Sequence, residues 1–197
     1  SPLKGDSDDP AIWLHPTRPR KSLVVATQKD GGLVTFDLKG RIRQQLLPAT
    51  FGEIRYNNVD LVYNFPLDGN LADLAVVSDR ENDTLAVFRI DPKNRLLQEV
   101  TSPDMVASIF GVDDGEATAY GLCGYTSPVT GRHFVFTTQA DGNLVAQLEL
   151  FDGGNGTVGA HLVRMLTLPV PTGDPEDSQS EGVVADRQRG LLYVAME

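Results

Sequence analysis

VVATQKDGGLVTFDL, residues 24–38, holds an apolar run, a polar turn around Gly31 and Gly32, and a second run that alternates apolar and polar residues. Alternation with glycine between the two halves suits a pair of antiparallel strands, not a helix. The same form recurs at AVVSDRENDTLAVFRI (75–90) and at VFTTQADGNLVAQLEL (135–150). Working outward from these three stretches, short runs of Val, Leu, Ile and Phe are separated everywhere by Gly, Asp, Asn or Pro. They predict strands near 10–14, 22–27, 33–38 and 41–47, then 59–63, 73–78, 84–90 and 95–100. A third group falls near 120–125, 132–138, 143–150 and 160–168, and a fourth opens with 182–185 and 191–196. No segment longer than about ten residues keeps helical spacing of its apolar positions.

Each group holds four strands, and each group's second strand enters the recurring turn. Group starts near 10, 59, 120 and 182 give a period of roughly 50 to 60 residues, that of propeller blades with long loops. The expectation is an all-β β-propeller of four-stranded antiparallel blades at about 10–50, 57–100, 117–168 and 180–197, the last incomplete. An all-β sandwich stays open, because short strands alone do not separate the two. About three and a half blades leave the ring open with unpaired edges. The chain, which opens on Ser1 and not Met, is therefore expected to be a piece of a longer propeller or to need a partner to close it.

The 197 residues are 41% hydrophobic and 22% charged, enough for one domain with a sizeable core. A formal net charge of −10 argues against nucleic acid or an anionic membrane as the main partner, since both repel an acidic protein. It repels a polyanionic substrate too, unless cations intervene. No apolar run approaches the roughly 20 residues that span a bilayer. Cys123 is the single cysteine, so no internal disulfide or thiolate metal cage is possible.

In an up-and-down blade the start of strand 1 and the turn from strand 2 to strand 3 lie at the same face. The strand 1 starts are DSDDPAIW (6–13), NNVDLVY (57–63), ATAYGL (117–122) and SQSEGVV (178–184). They bring Asp8, Asp9, Asn58, Asp60, Tyr120 and Glu181 to one rim, where the turns add Lys29, Asp30, Arg80, Glu81 and Asp141. Glu197, after the second strand of the fourth group, points there as well. Carboxylates, amides and carbonyls in such a set suit calcium, a hard cation taking six to eight oxygens. The plain alternative is that loop carboxylates are simply solvated, and it is the better reading for Asp113, Asp114, Asp174, Glu176 and Asp177. His15, His133 and His161 stand apart, which excludes a zinc pattern, and no EF-hand spacing occurs. Lys29 and Arg80 hold matching turns, an arrangement suited to phosphate, though turns often carry a basic residue for solubility alone. Trp13 and Cys123 read as core. There is no Cys-x5-Arg loop at Cys123, no Gly-x-Arg after Arg132-His133 and no Gly-x-Ser-x-Gly elbow.

DSDDPAIWLHP (6–16), NNVDLVYNFPL (57–67), SDRENDTLAVFRID (78–91), AYGLCGY (119–125) and SQSEGVVADRQRGLLYVAME (178–197) together resemble the bacterial β-propeller, or alkaline, phytases over the whole chain. The resemblance implies a calcium-loaded propeller of about six blades, and with it phosphate release from phytate as in a 3-phytase. It implies several Ca²⁺ ions, a secreted or periplasmic protein that is monomeric at full length, and phytate or its calcium complex as the small-molecule partner. By position in the motifs, Asp9 with the carbonyls of Pro10 and Val59 matches a structural calcium site, and Asp8 the neighbouring acid. Glu181 and Glu197 match carboxylates that bind calcium at the catalytic centre, while Lys29, Arg80 and Tyr120 match residues holding substrate phosphate. Asp30 and Ala140 depart from the pattern, each falling where some members have a lysine. The implied reaction is attack on phosphorus by a metal-activated water. This stretch alone does not bring together every acid of the implied metal cluster. Two other readings stand beside this one: a metal-binding propeller module without catalysis, and a propeller lactonase or ester hydrolase.

Overall fold

A computed structural model describes residues 6–29, 31–47, 53–111, 116 and 118–196. Among these residues, fourteen strands account for nearly all regular structure. The first sheet is a meander of β1 (Ser7–Trp13), β2 (Leu23–Gln28), β3 (Gly32–Asp37) and β4 (Ile42–Leu46). The second is β5 (Tyr56–Leu67), β6 (Asn70–Asp79), β7 (Thr84–Asp91) and β8 (Leu96–Glu99). The third runs β9 (Ala119–Thr126), β10 (His133–Gln139), β11 (Leu144–Gly154) and β12 (Thr157–Thr167). A two-stranded sheet of β13 (Ser180–Asp186) and β14 (Leu191–Met196) follows. Every pairing between these strands is antiparallel and joins neighbours in sequence, and one isolated parallel bridge joins Thr101 to Val158. Among the described residues no helix is long and apolar enough to cross a membrane.

Three apolar layers, each between consecutive sheets, exclude the sandwich. The first joins Trp13, Leu23 and Val25 to Ala75, Val77 and Phe88. The second joins Leu74, Val76 and Leu85 to Val135, Ala146 and Leu148. The third sets Cys123, Phe136 and Val145 against Val183, Ala185 and Leu192. Along β6 the alternation sends Leu74 and Val76 to one layer and Ala75 and Val77 to the other, so the second sheet is buried on both faces. A two-sheet sandwich buries one face per sheet. Sheets stacked in sequence, with β1, β5, β9 and β13 as successive inner neighbours, are a propeller. Trp13 and Cys123 are core residues, and the Trp13 indole N–H donates to Asp73 at 2.8 Å.

The strands β5, β6, β11 and β12 run further than the alternation predicts. Phe65 and Leu67 are buried beyond Asn64, which has a positive φ of 56° at a register shift and so carries the strand past a polar residue. Asp68-Gly69 and Asn155-Gly156 then close the two long hairpins with positive φ at both residues, the two-residue turn whose twist matches its flanking strands.

Candidate functional site

One irregularity recurs in all four sheets and builds the rim. Near the start of each inner strand two residues oppose one on the second strand. Asp8-Asp9 face Thr27, Asn57-Asn58 face Ser78, Tyr120-Gly121 face Thr138, and Glu181-Gly182 face Ala195. Such bulges re-aim side chains, and here they gather the polar residues that an unbroken alternation would send to opposite faces.

A hydroxyl locks each of the first three bulges. The amides of Asp9, Asn58 and Gly121 donate to Thr27 Oγ1 at 3.0 Å, Ser78 Oγ at 3.0 Å and Thr138 Oγ1 at 2.9 Å. Each hydroxyl donates onward to the next sheet: Thr27 to the Asn57 carbonyl, Ser78 to the Tyr120 carbonyl at 2.5 Å, and Thr138 to the Ser180 carbonyl. Sequence reasoning passed over these three residues, although T-Q-K, S-D-R and T-Q-A repeat a hydroxyl two places before each turn.

The turns obey the same repeat. The amides of Lys29, Arg80 and Ala140 donate to the carbonyls of Asp6, Arg55 and Thr118 at 2.8, 2.9 and 2.9 Å. Lys29 and Arg80 therefore occupy equivalent places, as the sequence predicts, and Ala140 is the third. Lys29 Nζ lies 3.3 Å from Asp8 Oδ1. The Arg80 guanidinium sits 4.9 Å from the centre of the Tyr120 ring, held by its face. Burial, with Arg55 nearby, lowers the Arg80 pKa from its ordinary value. Arg80 Nε is buried and meets no acceptor among the described residues.

Facing these cations is a group of acids that repel one another. Asp9 Oδ2 accepts from the Val59 amide at 3.0 Å, a bond between sheets. Its pKa is raised first by burial and then by Asp8, Asp60 and Glu181. Asp9, Pro10, Val59 and Glu181 line a cleft of about 430 Å³ between the inner strands. Asp8 Oδ2 is buried and meets no donor among the described residues. Glu181 comes from the far side, where its Oε1 accepts from Asn57 Nδ2 at 3.2 Å.

Asp60 lies deeper than the sequence reading placed it. Its oxygens accept from the amides of Leu61 and Gly124, both at 2.7 Å, and the charge that offsets its own is Arg187, just past the far end of β13. Among the described residues no three His, Cys, Asp or Glu side chains converge closely enough to hold a metal ion by themselves. The oxygen-rich donors nonetheless fit a hard cation: an orphaned buried carboxylate oxygen, an acid destabilised by its neighbours, and a nearby amide. Glu197, Asp30, Asp113 and Asp114 lie outside the described residues. Asp174, Glu176 and Asp177 are exposed.

The family model described as Phytase matches residues 3–197. The chain belongs to the phytase family. It is also 38% identical over 193 residues to a protein of Bacillus subtilis (strain 168) named 3-phytase, an alignment covering 97% of this chain and 46% of that relative. The chain thus spans somewhat under half the length of the curated phytase it matches.

Proposed function

We propose that the full-length protein is a calcium-dependent phosphomonoester hydrolase that releases phosphate from phytate, and that this chain supplies about three and a half of its roughly six blades. Membership of the phytase family and the likeness to a 3-phytase support this reading. The observation that carries it is a pair of complementary orphans on one rim: among the described residues the buried Arg80 Nε has no acceptor and the buried Asp8 Oδ2 no donor. Buried polar groups ordinarily find partners, so the first calls for an anion and the second for a cation.

In this reading Asp8, Asp9 and Glu181, with the carbonyls of Pro10 and Val59, hold calcium, and Glu197 joins them by its place in the family motif. A calcium ion bound there would supply positive charge to offset that of the substrate and would acidify a coordinated water. Arg80, steadied by Tyr120, presents its planar fork to the phosphoryl oxygens. Lys29 adds a movable cation, its charge shared with Asp8. Both stabilise negative charge as the phosphoryl group transfers. Secretion of a monomeric full-length protein belongs to the same reading.

The test is phosphate release from phytate by the full-length protein. Arg80→Ala removes charge-assisted hydrogen bonds worth about 1.5–3 kcal/mol, so KM should rise roughly 10- to 100-fold. Glu181→Ala should abolish turnover together with its calcium dependence. Wild-type rates in both variants would refute the site assignment. Calcium binding without phosphate release in the wild type would instead favour the non-catalytic module.

A further inference from the structure

Asn57 is completely buried, with 0% exposure, at the first bulge position of β5, equivalent to Asp8 in β1 and Glu181 in β13. Its Nδ2 donates to Asn58 Oδ1 at 2.6 Å and to Glu181 Oε1 at 3.2 Å. Both partners are acceptors, which fixes the orientation of the amide, since a flipped group would set oxygen against oxygen. The carbonyl Oδ1 is therefore the atom left over, and it is buried and meets no donor among the described residues. Asp8 Oδ2, at the matching position of the neighbouring sheet, is orphaned in the same manner. Between them the bulges are bonded laterally, by the Thr27 hydroxyl to the Asn57 carbonyl and by the Val59 amide to Asp9.

We infer that Asn57 completes the cation site: its amide oxygen is a metal ligand, and its amide nitrogen positions Glu181. This rests on the calcium reading above and adds to it the donor that the acids lack, for no three acidic, histidine or cysteine side chains converge among the described residues. A neutral amide suits the place. It adds an oxygen for a hard cation without adding a charge to acids that already repel, and the same group restrains the neighbouring carboxylate.

The experiment is a calcium titration of the full-length protein by calorimetry, without phytate, with melting temperatures in EDTA and in saturating calcium. Asn57→Leu keeps much of the side-chain volume and removes both amide functions. It should weaken calcium binding at least tenfold and shrink the calcium-induced rise in Tm, beyond whatever Tm is lost equally in EDTA and in calcium by taking a donor from Asn58 and Glu181. Asn57→Asp keeps a ligand oxygen but loses the hydrogen bond to Glu181 and adds a charge, so it should bind calcium more weakly than wild type yet clearly more tightly than Asn57→Leu. A purely structural amide predicts otherwise: Asn57→Leu lowers Tm only equally in EDTA and calcium, and Asn57→Asp, now repelling Glu181, loses calcium as badly as the leucine variant. Either result overturns the assignment, as does wild-type affinity in Asn57→Leu. If Asn57→Leu does not fold, the Asn57→Asp titration decides alone, by whether calcium binding survives. A wild-type protein that binds no calcium would sink the functional reading itself, a failure distinct from that of Asn57.

Discussion

Arg80 is held where water and counter-ions are partly excluded, with a flat aromatic face beneath it and no carboxylate within ion-pairing distance among the described residues. Its place was legible in the sequence because the blade repeat aligns it with Lys29. Asn57 was not singled out, although it stands in the quoted NNVD run, because two adjacent asparagines look alike until a bulge gives them different surroundings. Cys123 illustrates the opposite case, a reactive residue type made inert. Burial pushes its thiol up to about 12, the nearby Asp60 charge adding to the shift. At pH 8 it should therefore resist a thiol reagent such as DTNB in the folded protein and react only as the protein unfolds. Full modification of native protein within minutes would show that the third apolar layer is open.

At the scale of the elements, the strand starts and the turns were predicted from alternation and period, and the register confirms that they share one face. The bulges escaped notice because they displace a single residue. Their hydroxyl locks join neighbouring sheets at the rim, so Ser78→Ala should cost about 1–2 kcal/mol by depriving the Asn58 amide of its acceptor and the Tyr120 carbonyl of a donor. Equilibrium urea unfolding checks this; an unchanged midpoint would count against the lock. The β3–β4 turn offers a pH test. The Asp37 carboxylate is lowered to about 2 by the Arg41 side chain and by the Arg41 and Lys39 amides. A depressed carboxyl stabilises the fold fully above its unfolded value of 3.8, and that contribution fades as pH falls towards 2. Asp37→Asn should therefore destabilise the protein at pH 6 and make little difference at pH 2. An equal loss at both would assign Asp37 a role independent of its charge.

For the whole molecule, the stack of sheets explains how an acidic chain gathers its candidate site on one rim. Four bulged inner strands converge on one rim, and three interleaved apolar layers keep them there against the repulsion of their own acids. Composition and repeat announced the all-β architecture. The charge balance posed the electrostatic difficulty, and only the geometry shows that, among the described residues, the orphaned donor and the orphaned acceptors belong to the bulges and turns of the same rim. Metal that neutralises the acids should stabilise the fold and permit turnover through the same binding event. The most direct measurement is phosphate release from phytate by the full-length protein in excess calcium and in excess EDTA, with Tm recorded in the same samples. The account predicts that EDTA abolishes release and lowers Tm by about 5–15 °C, and that added calcium restores both. Undiminished release in EDTA, with Tm unchanged, would contradict it.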